Sequence, residues 1–306
     1  MESRIAYDLP DQTGRIAVVT GANSGIGWWT SLHLARAGAR VVLACRSQAR
    51  ADAAVADLRA EVPDGLFEVL LCDLADQASV RAAAAEFSDR YDRLDLLVLN
   101  AGVALAPYER TVDGFELHLA ANFLGHFALT GLLLGTMMAT PGSRVVTVGS
   151  LAARGGRIGY DDPHFERRRY SAPRGYAQSK LAELVFMVEL ERRLRRTTAD
   201  TISVGGHPGA SFTGIADEMW IIRVPGIRTA AGWVTGTLLN YPEQAAGASL
   251  LAATAPLMPG AGYLGPGGSF EVTGPPAPAK LPKRARSGGD RLWSLAERLT
   301  GVELLS

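Results

Sequence analysis

Short runs dominated by Val, Leu, Ile and Ala alternate along the chain with longer segments whose apolar residues recur at helical spacing. IAVVT (16–20) reads as a buried strand, 25–37 as a helix, VVLAC (41–45) as a second strand, and an Ala-rich amphipathic stretch to about residue 60 as a second helix. FEVLLCD (67–73), residues 77–91 and LDLLVLN (94–100) repeat the alternation: strand, helix, strand. A strand that is apolar on both faces has to be covered on both. Connections long enough to hold a helix let such strands run parallel. The pattern predicts an α/β fold, a Rossmann-type doubly wound parallel sheet with helices on both faces.

RVVTVGS (144–150), a helix over about 175–196 and TISVGGH (201–207) carry the pattern to six strands. Residues 117–143 contain no Asp, Glu, Lys or Arg, and Gly131 and Gly135 stand in GxxxG spacing, so hydropathy alone would allow a transmembrane helix. Asn122, His126, Thr130 and several glycines interrupt the stretch, and no positive cluster flanks its start. Those features favour a buried helix and no integral membrane segment. After His207 the rhythm breaks. Residues 208–240 are apolar and punctuated by Gly and Pro, and read as a C-terminal substrate lid or as an ordinary packed loop with a short helix. A helix at 242–254, a last strand within 262–270 and a Pro/Gly/basic connector at 274–290 lead to a terminal helix, so 274–306 forms a C-terminal extension. The whole chain, 1–306, is expected to be one domain.

Composition narrows the function. The 306 residues are 47% hydrophobic and 20% charged, with 31 basic and 31 acidic side chains, which excludes a disordered chain and disfavours one that coats nucleic acid. The two cysteines, Cys45 and Cys72, make no disulfide framework. His33, His118, His126, His164 and His207 lack ligand spacing, so no metal is expected. The N-terminal MESRIAYDLPDQTGR has no apolar core of a signal peptide, and a cytoplasmic location is expected.

The first strand runs into Thr20-Gly21-Ala22-Asn23-Ser24-Gly25-Ile26-Gly27 and then a helix. Glycines there allow a tight turn and let backbone N–H groups meet a pyrophosphate at the positive end of the helix. At the end of the second strand, where an acid would bind the ribose 2′-hydroxyl of NAD, the chain has Arg46 and Ser47 and no acid before Asp52. Arg46 is placed for a 2′-phosphate, with Ser47 and Asn23 as helpers, which points to NADP(H); the alternative is a solvated arginine at a helix start. Asp73-Leu74 and Asn100-Ala101-Gly102 end the third and fourth strands at the edge where such sheets bind ligands, although each alone is an ordinary strand-to-helix cap.

Tyr176-Ala177-Gln178-Ser179-Lys180 opens a helix. Residues four apart share a face, so an ammonium lies near a phenol and favours its phenolate, the requirement for a general acid/base. Of 31 basic residues only three are lysines, and Lys180 is the only one before Lys280. Ser150 ends the fifth strand, where its hydroxyl can hold a substrate oxygen, and Asn122 is a polar residue in an apolar helix that needs a partner.

Taken together, TGANSGIG, NAG, Ser150, YAQSK and HPG followed by Thr213 resemble the short-chain dehydrogenase/reductase superfamily over nearly the whole chain. VVLACR, the long insert between Ser150 and Tyr176 and the GPGGSFEVTG tail look most like its retinol-dehydrogenase-like and WW-domain-oxidoreductase-like branch and its bacterial relatives. The resemblance implies that Tyr176 is the acid/base, that Lys180 supports it and holds the nicotinamide ribose, that Ser150 orients the substrate oxygen, and that Asn122 anchors a relay water. It makes Pro208, Gly209 and Thr213 nicotinamide-side contacts. It also implies a homodimer or homotetramer formed through the helices near 112–139 and 175–197.

The chain departs from the family pattern at Trp28-Trp29, one of which should face outward, at Gly149, where a second Ser is common, and at Glu183, where Asn is frequent. Arg167-Arg168-Arg169 reads as a solvated turn or as the rim of a substrate mouth. The function expected is NADPH-dependent reduction of a ketone or aldehyde, or the reverse alcohol oxidation, on a hydrophobic, polycyclic or polyketide-like substrate. This rests on the apolar Met219, Trp220, Ile221, Ile222 and Trp233. The alternatives are a C=C reductase of the same fold and a non-catalytic NADP-binding regulatory protein.

Overall fold

Ile16, Val18 and Val19, with Ala17 between them, give the chain its centre, strand β1 (Ile16–Thr20), buried from Ala17 onward. In the computed structural model, which describes residues 7–210 and 240–305, β1 pairs in parallel with β2 (Arg40–Cys45) on one side and β4 (Leu96–Leu99) on the other. With β3 (Phe67–Leu71), β5 (Arg144–Val148), β6 (Ile202–Gly206), β7 (Tyr263–Pro266) and β8 (Pro276–Pro278), the described residues form an eight-stranded sheet ordered β3-β2-β1-β4-β5-β6-β7-β8. The chain reverses its direction of winding between β1 and β4, which opens a crevice at their carboxyl ends.

Helices cover both faces, as the two-sided apolar strands require. Val18, Val42, Leu97 and Val145 look towards α3 (Gln77–Arg90), α4 (Gly125–Met138) and α5 (Ala172–Leu194). Their neighbours Val19, Val41, Val98 and Val146 look towards α1 (Gly25–Arg36), α2 (Gln48–Glu61) and α6 (Pro242–Thr254). The uncharged stretch is a core helix: over Leu119–Met138 it is long and apolar enough to cross a membrane, yet 78% of it is buried within the chain. Its first six residues, Leu119–Leu124, form a π-helical turn around Asn122.

Three features differ from expectation. The last parallel strand is short, and the proline-rich connector adds an antiparallel edge strand, β8, where missing N–H groups cost no ladder bonds. The terminal helix α7 (Gly289–Thr300) is part of the core: Trp293 is 2% exposed and packs against Phe127 and Phe186. A side chain at Gly131 would collide with Val302 and Leu304, so this glycine makes room for the chain's own tail. Trp28 and Trp29 meet edge to face 5.0 Å apart and are both half-buried; Trp29 stacks on His33, so neither ring points freely outward. The lid expected at 208–240 falls almost entirely outside the described residues, as do Thr213, Met219, Trp220, Ile221, Ile222 and Trp233.

Candidate active site

The glycine turn after β1 is folded as its sequence suggests. Gly21 and Gly25 take φ of 64° and 55°, the left-handed region that costs other residues strain. A Cβ on Gly27 would lie 2.4 Å from the Gly21 carbonyl oxygen and 2.5 Å from Asn100 Nδ2, so only glycine lets α1 start this close to the turn. Ser24 precedes the helix without capping it through its side chain, which leaves first-turn N–H groups without a side-chain acceptor. An uncapped helix start behind a glycine turn, at the crevice, fits a pyrophosphate. Ala22, Asn23 and Ile26 belong to the same turn, and Cys45 lies beneath it as a neutral thiol that burial pushes up to about 11.

Asn100 seals the turn from β4. Its Nδ2 donates to the Thr20 carbonyl at 2.8 Å, and the Asn100 and Ala101 N–H groups both donate to Thr20 Oγ1 at 2.9 Å. Gly102 follows, with the Asn122 carboxamide and the Lys180 ammonium directly beneath it. Asp73 accepts from the Ala75 N–H at 3.0 Å, and the buried Leu74 packs over Gly125. Arg46 is exposed at the end of β2 and has no ion-pair partner among the described residues; Ser47 caps α2 in position but not through its side chain.

Asn122, at the π-helical turn, is fully buried and fully engaged. Its Oδ1 accepts from the Val103 N–H at 2.7 Å, and its Nδ2 donates to the Val103 carbonyl at 3.0 Å and to Ser179 Oγ at 2.8 Å. Ser179 in turn donates to the Tyr176 carbonyl at 2.9 Å. One carboxamide thus joins the loop after β4 to the turn of α5 that carries Tyr176 and Lys180. Ser150 accepts from the Ala152 N–H at 3.2 Å, which leaves its own hydroxyl hydrogen available to another acceptor. Gly149 is explained by β7: a Cβ there would lie 2.4 Å from the Tyr263 hydroxyl.

Tyr176 is half-buried beside the ring of His118, 6.1 Å between centroids. Lys180 is buried one helical turn on. Its Nζ donates to both carboxylate oxygens of Glu183 at 3.0 Å and to the Val148 carbonyl at 3.2 Å. Burial opposes the ammonium charge, but Glu183 and Tyr176 more than offset it and hold Lys180 above the usual lysine range. Burial pushes the Glu183 carboxyl up to about 7 against the pull of Lys180.

Several residues that build this site carry no role legible in the chain. His126 and Ser179 tie its elements together, and the spacing of His126, four after Asn122 in an apolar helix, was the available signal. Asn240 was invisible: its Nδ2 donates to the Pro208 carbonyl at 2.8 Å and its N–H to the Ala210 carbonyl at 2.8 Å, joining the two described ends of the 208–240 segment beside Gly209. Arg168 is not simply solvated, since it lies 4.3 Å over the Phe165 ring and donates to Gln178 Oε1 at 2.9 Å.

Comparison with known proteins agrees with this geometry. Residues 15–217 match the family described as short chain dehydrogenase. Human retinol dehydrogenase 13 is 36% identical over 290 residues, 95% of this chain and 86% of its own length. Mouse polyprenol dehydrogenase is 40% identical over 301 residues, 96% of this chain and 86% of its own. The crystal structure of an uncharacterized protein from Mycobacterium paratuberculosis superposes with a TM-score of 0.80 at 38% identity and covers 97% of each chain.

These relatives correct one expectation. They are named for retinol and polyprenol, alcohols that partition into lipid, and the cytoplasmic location is therefore withdrawn.

Proposed function

Since this chain belongs to the short-chain dehydrogenase family, whose oxidoreductases use NAD(P), we propose that it performs NADPH-dependent reduction of a hydrophobic aldehyde or ketone, or the reverse alcohol oxidation. The observation that carries the reading is the buried Lys180 ammonium one helical turn from Tyr176 on α5, held at the end of β5 by the Val148 carbonyl. A cation fixed there favours the phenolate of Tyr176, which then takes a proton from an alcohol or returns it to a carbonyl oxygen.

The residues that would hold the dinucleotide are the Gly21–Gly27 turn with Asn23, Ser24 and Ile26, then Asp73, Leu74, Asn100, Ala101 and Gly102, with Lys180 toward the ribose and Pro208, Gly209 and Thr213 on the nicotinamide side. Arg46, exposed and without an ion-pair partner among the described residues, would meet a 2′-phosphate with Ser47. When bound, the nicotinamide supplies or accepts the hydride. Ser150 donates its free hydroxyl hydrogen to the substrate oxygen and so orients it toward Tyr176. Asn122 fixes the floor of the site through Val103 and Ser179; its backbone carbonyl accepts from His126 and keeps a second lone pair for a relay water.

Retinol and polyprenol dehydrogenases as relatives support a lipophilic primary alcohol or its aldehyde as substrate. Segment 208–240 is the proposed lid over it and 274–306 the proposed extension of a single domain. Self-association through α4 and α5 would use surface other than the patches taken by Trp293, Val302 and Leu304.

The test is NADPH oxidation with retinal, geranylgeranial and a panel of ketones. Tyr176→Phe should lose roughly 10²–10⁴-fold in turnover while NADPH still binds. Retained turnover removes Tyr176 from the chemistry, and a preference for NADH removes the role of Arg46.

A further inference from the structure

Glu183 faces Lys180 inside the protein, with both carboxylate oxygens 3.0 Å from Nζ and both side chains nearly closed to water at 4% and 7% exposure. An ammonium has three hydrogens. One is directed to the Val148 carbonyl, and the two carboxylate oxygens can share another, which leaves the third for the ribose proposed above. The same ammonium lies one helical turn from Tyr176, on the same face of α5. A negative charge 3 Å from a positive one cancels much of its potential at a third site a helical turn away, and in a buried setting little solvent screens any of these terms.

We propose that Glu183 is a positioning residue that tempers Lys180: it holds the ammonium against α5 and withdraws part of its positive potential from Tyr176, so that the tyrosine acts as a base at higher pH than Lys180 alone would set. The inference rests on the acid/base reading of Tyr176. Burial pushes the Glu183 carboxyl up to about 7, so its tempering charge is in place on the alkaline side of neutrality and fades as the pH falls below it.

Other titratable groups stand around this pair: His118, hydrogen-bonded to Glu116, lies beside Tyr176 from the start of the π-helical turn. Tyr176 and Lys180 come from the same helix. Tyr263 approaches from β7 and is held neutral, because burial pushes its hydroxyl far up with Glu183 adding to the effect; Glu271 and Arg154 act on Tyr263 from the far side with opposite signs. From α4, His126 is neutral, since burial pushes it down to about 3 with the Lys180 charge adding to the effect.

The experiment compares the full-length protein with Glu183→Gln and Glu183→Asn, which keep an acceptor toward Lys180 and lose the charge. NADP⁺ reduction with retinol and geranylgeraniol as probe alcohols is followed against pH, and tyrosinate absorbance is titrated in the cofactor-free protein, with Tyr176→Phe identifying the contribution of Tyr176. In both Glu183 variants the acid limb of the rate profile should move down by about one pH unit, and the Tyr176 tyrosinate signal should appear at correspondingly lower pH. A lower melting temperature with limb and absorbance unmoved would mean a purely structural role and overturn the inference, as would movement to higher pH. Turnover that survives in Tyr176→Phe overturns the reading of Tyr176 beneath it, whereas lost turnover with an unmoved limb in the Glu183 variants overturns the inference alone.

Discussion

Thr20 Oγ1 and His126 Nε2 stand 2.9 Å apart, and the other ring nitrogen of His126 lies 2.8 Å from the carbonyl oxygen of Asn122. The carbonyl can only accept, so Nδ1 carries the hydrogen, and Nε2 accepts from the threonine hydroxyl. This buried histidine connects the end of β1, where the glycine turn begins, to the π-helical turn at Asn122. A π turn leaves backbone carbonyls out of the usual ladder, and His126 satisfies one of them.

His126→Phe keeps the ring volume and removes both bonds. The expected result is a stability loss of about 1–3 kcal/mol, from taking the histidine donor off the Asn122 carbonyl and leaving the Thr20 hydroxyl only its longer 3.3 Å bond to the Val98 carbonyl. Urea unfolding checks it; a variant as stable as the parent would show that these groups find other partners.

Acid should destabilise the protein well before its carboxylates are all protonated. Burial pushes His126 down to about 3 and His33 to about 4, so between roughly pH 6.5 and those values the unfolded chain binds protons that the folded chain refuses. Stability therefore falls as the pH drops through that window, by up to about 1.4 kcal/mol per pH unit for each group. Glu183 has the opposite sign, because its raised carboxyl binds a proton in the folded state first, and stability gained below its unfolded value is lost as the pH rises through 7. Urea midpoints from pH 7.5 to 4.5 should show a shallower acid slope for His126→Phe than for the parent. Equal slopes would mean that His126 is charged in the folded protein.

Arg46→Ala should weaken NADPH binding about 10–100-fold, the worth of a charge-assisted contact to phosphate, and leave NADH binding nearly unchanged. Binding of each dinucleotide is followed by fluorescence. An equal loss for both would point to a general effect on the turn.

Gly27→Ala places a methyl group against the Gly21 carbonyl and Asn100 Nδ2, neither of which can give way without opening the turn. A loss of about 1–3 kcal/mol in stability and of most dinucleotide affinity is expected. Calorimetry of NADPH binding measures the second effect, and near-parental affinity would contradict the close approach.

Trp293 packs on Phe127 and Phe186, donates to the Leu304 carbonyl at 3.0 Å and lies under the Arg193 guanidinium. Trp293→Ala should cost about 3–5 kcal/mol, the usual price of removing a buried aromatic. If thermal unfolding barely changes, the terminal helix is an appendage and not part of the core.

Much of this molecule follows from local rules. Apolar runs at 16–20, 41–45, 67–73, 94–100, 144–150 and 201–207 mark six parallel strands because a strand buried on both faces tolerates no polar side. The glycine turn and the placing of Tyr176 and Lys180 four apart on one helix were legible for the same kind of reason: each depends on a spacing of a few residues within one turn or one helix. The uncharged helix was rightly read as buried, since Asn122 and His126 within it called for partners inside the protein.

Sequence by itself determined the parallel sheet and its first six strands, the glycine turn after β1 and the residue types of the candidate site. Only the tertiary structure decided who touches whom across elements: that Asn122 holds Val103 and Ser179, that Tyr263 from β7 requires Gly149, that the tail fills the space at Gly131, and that Glu183 turns inward onto Lys180. The physical reason is that strand and helix patterns record burial, a property each residue has alone. Hydrogen bonds and ion pairs in the core depend on distances between chain segments far apart in sequence, and these exist only once the sheet has been assembled.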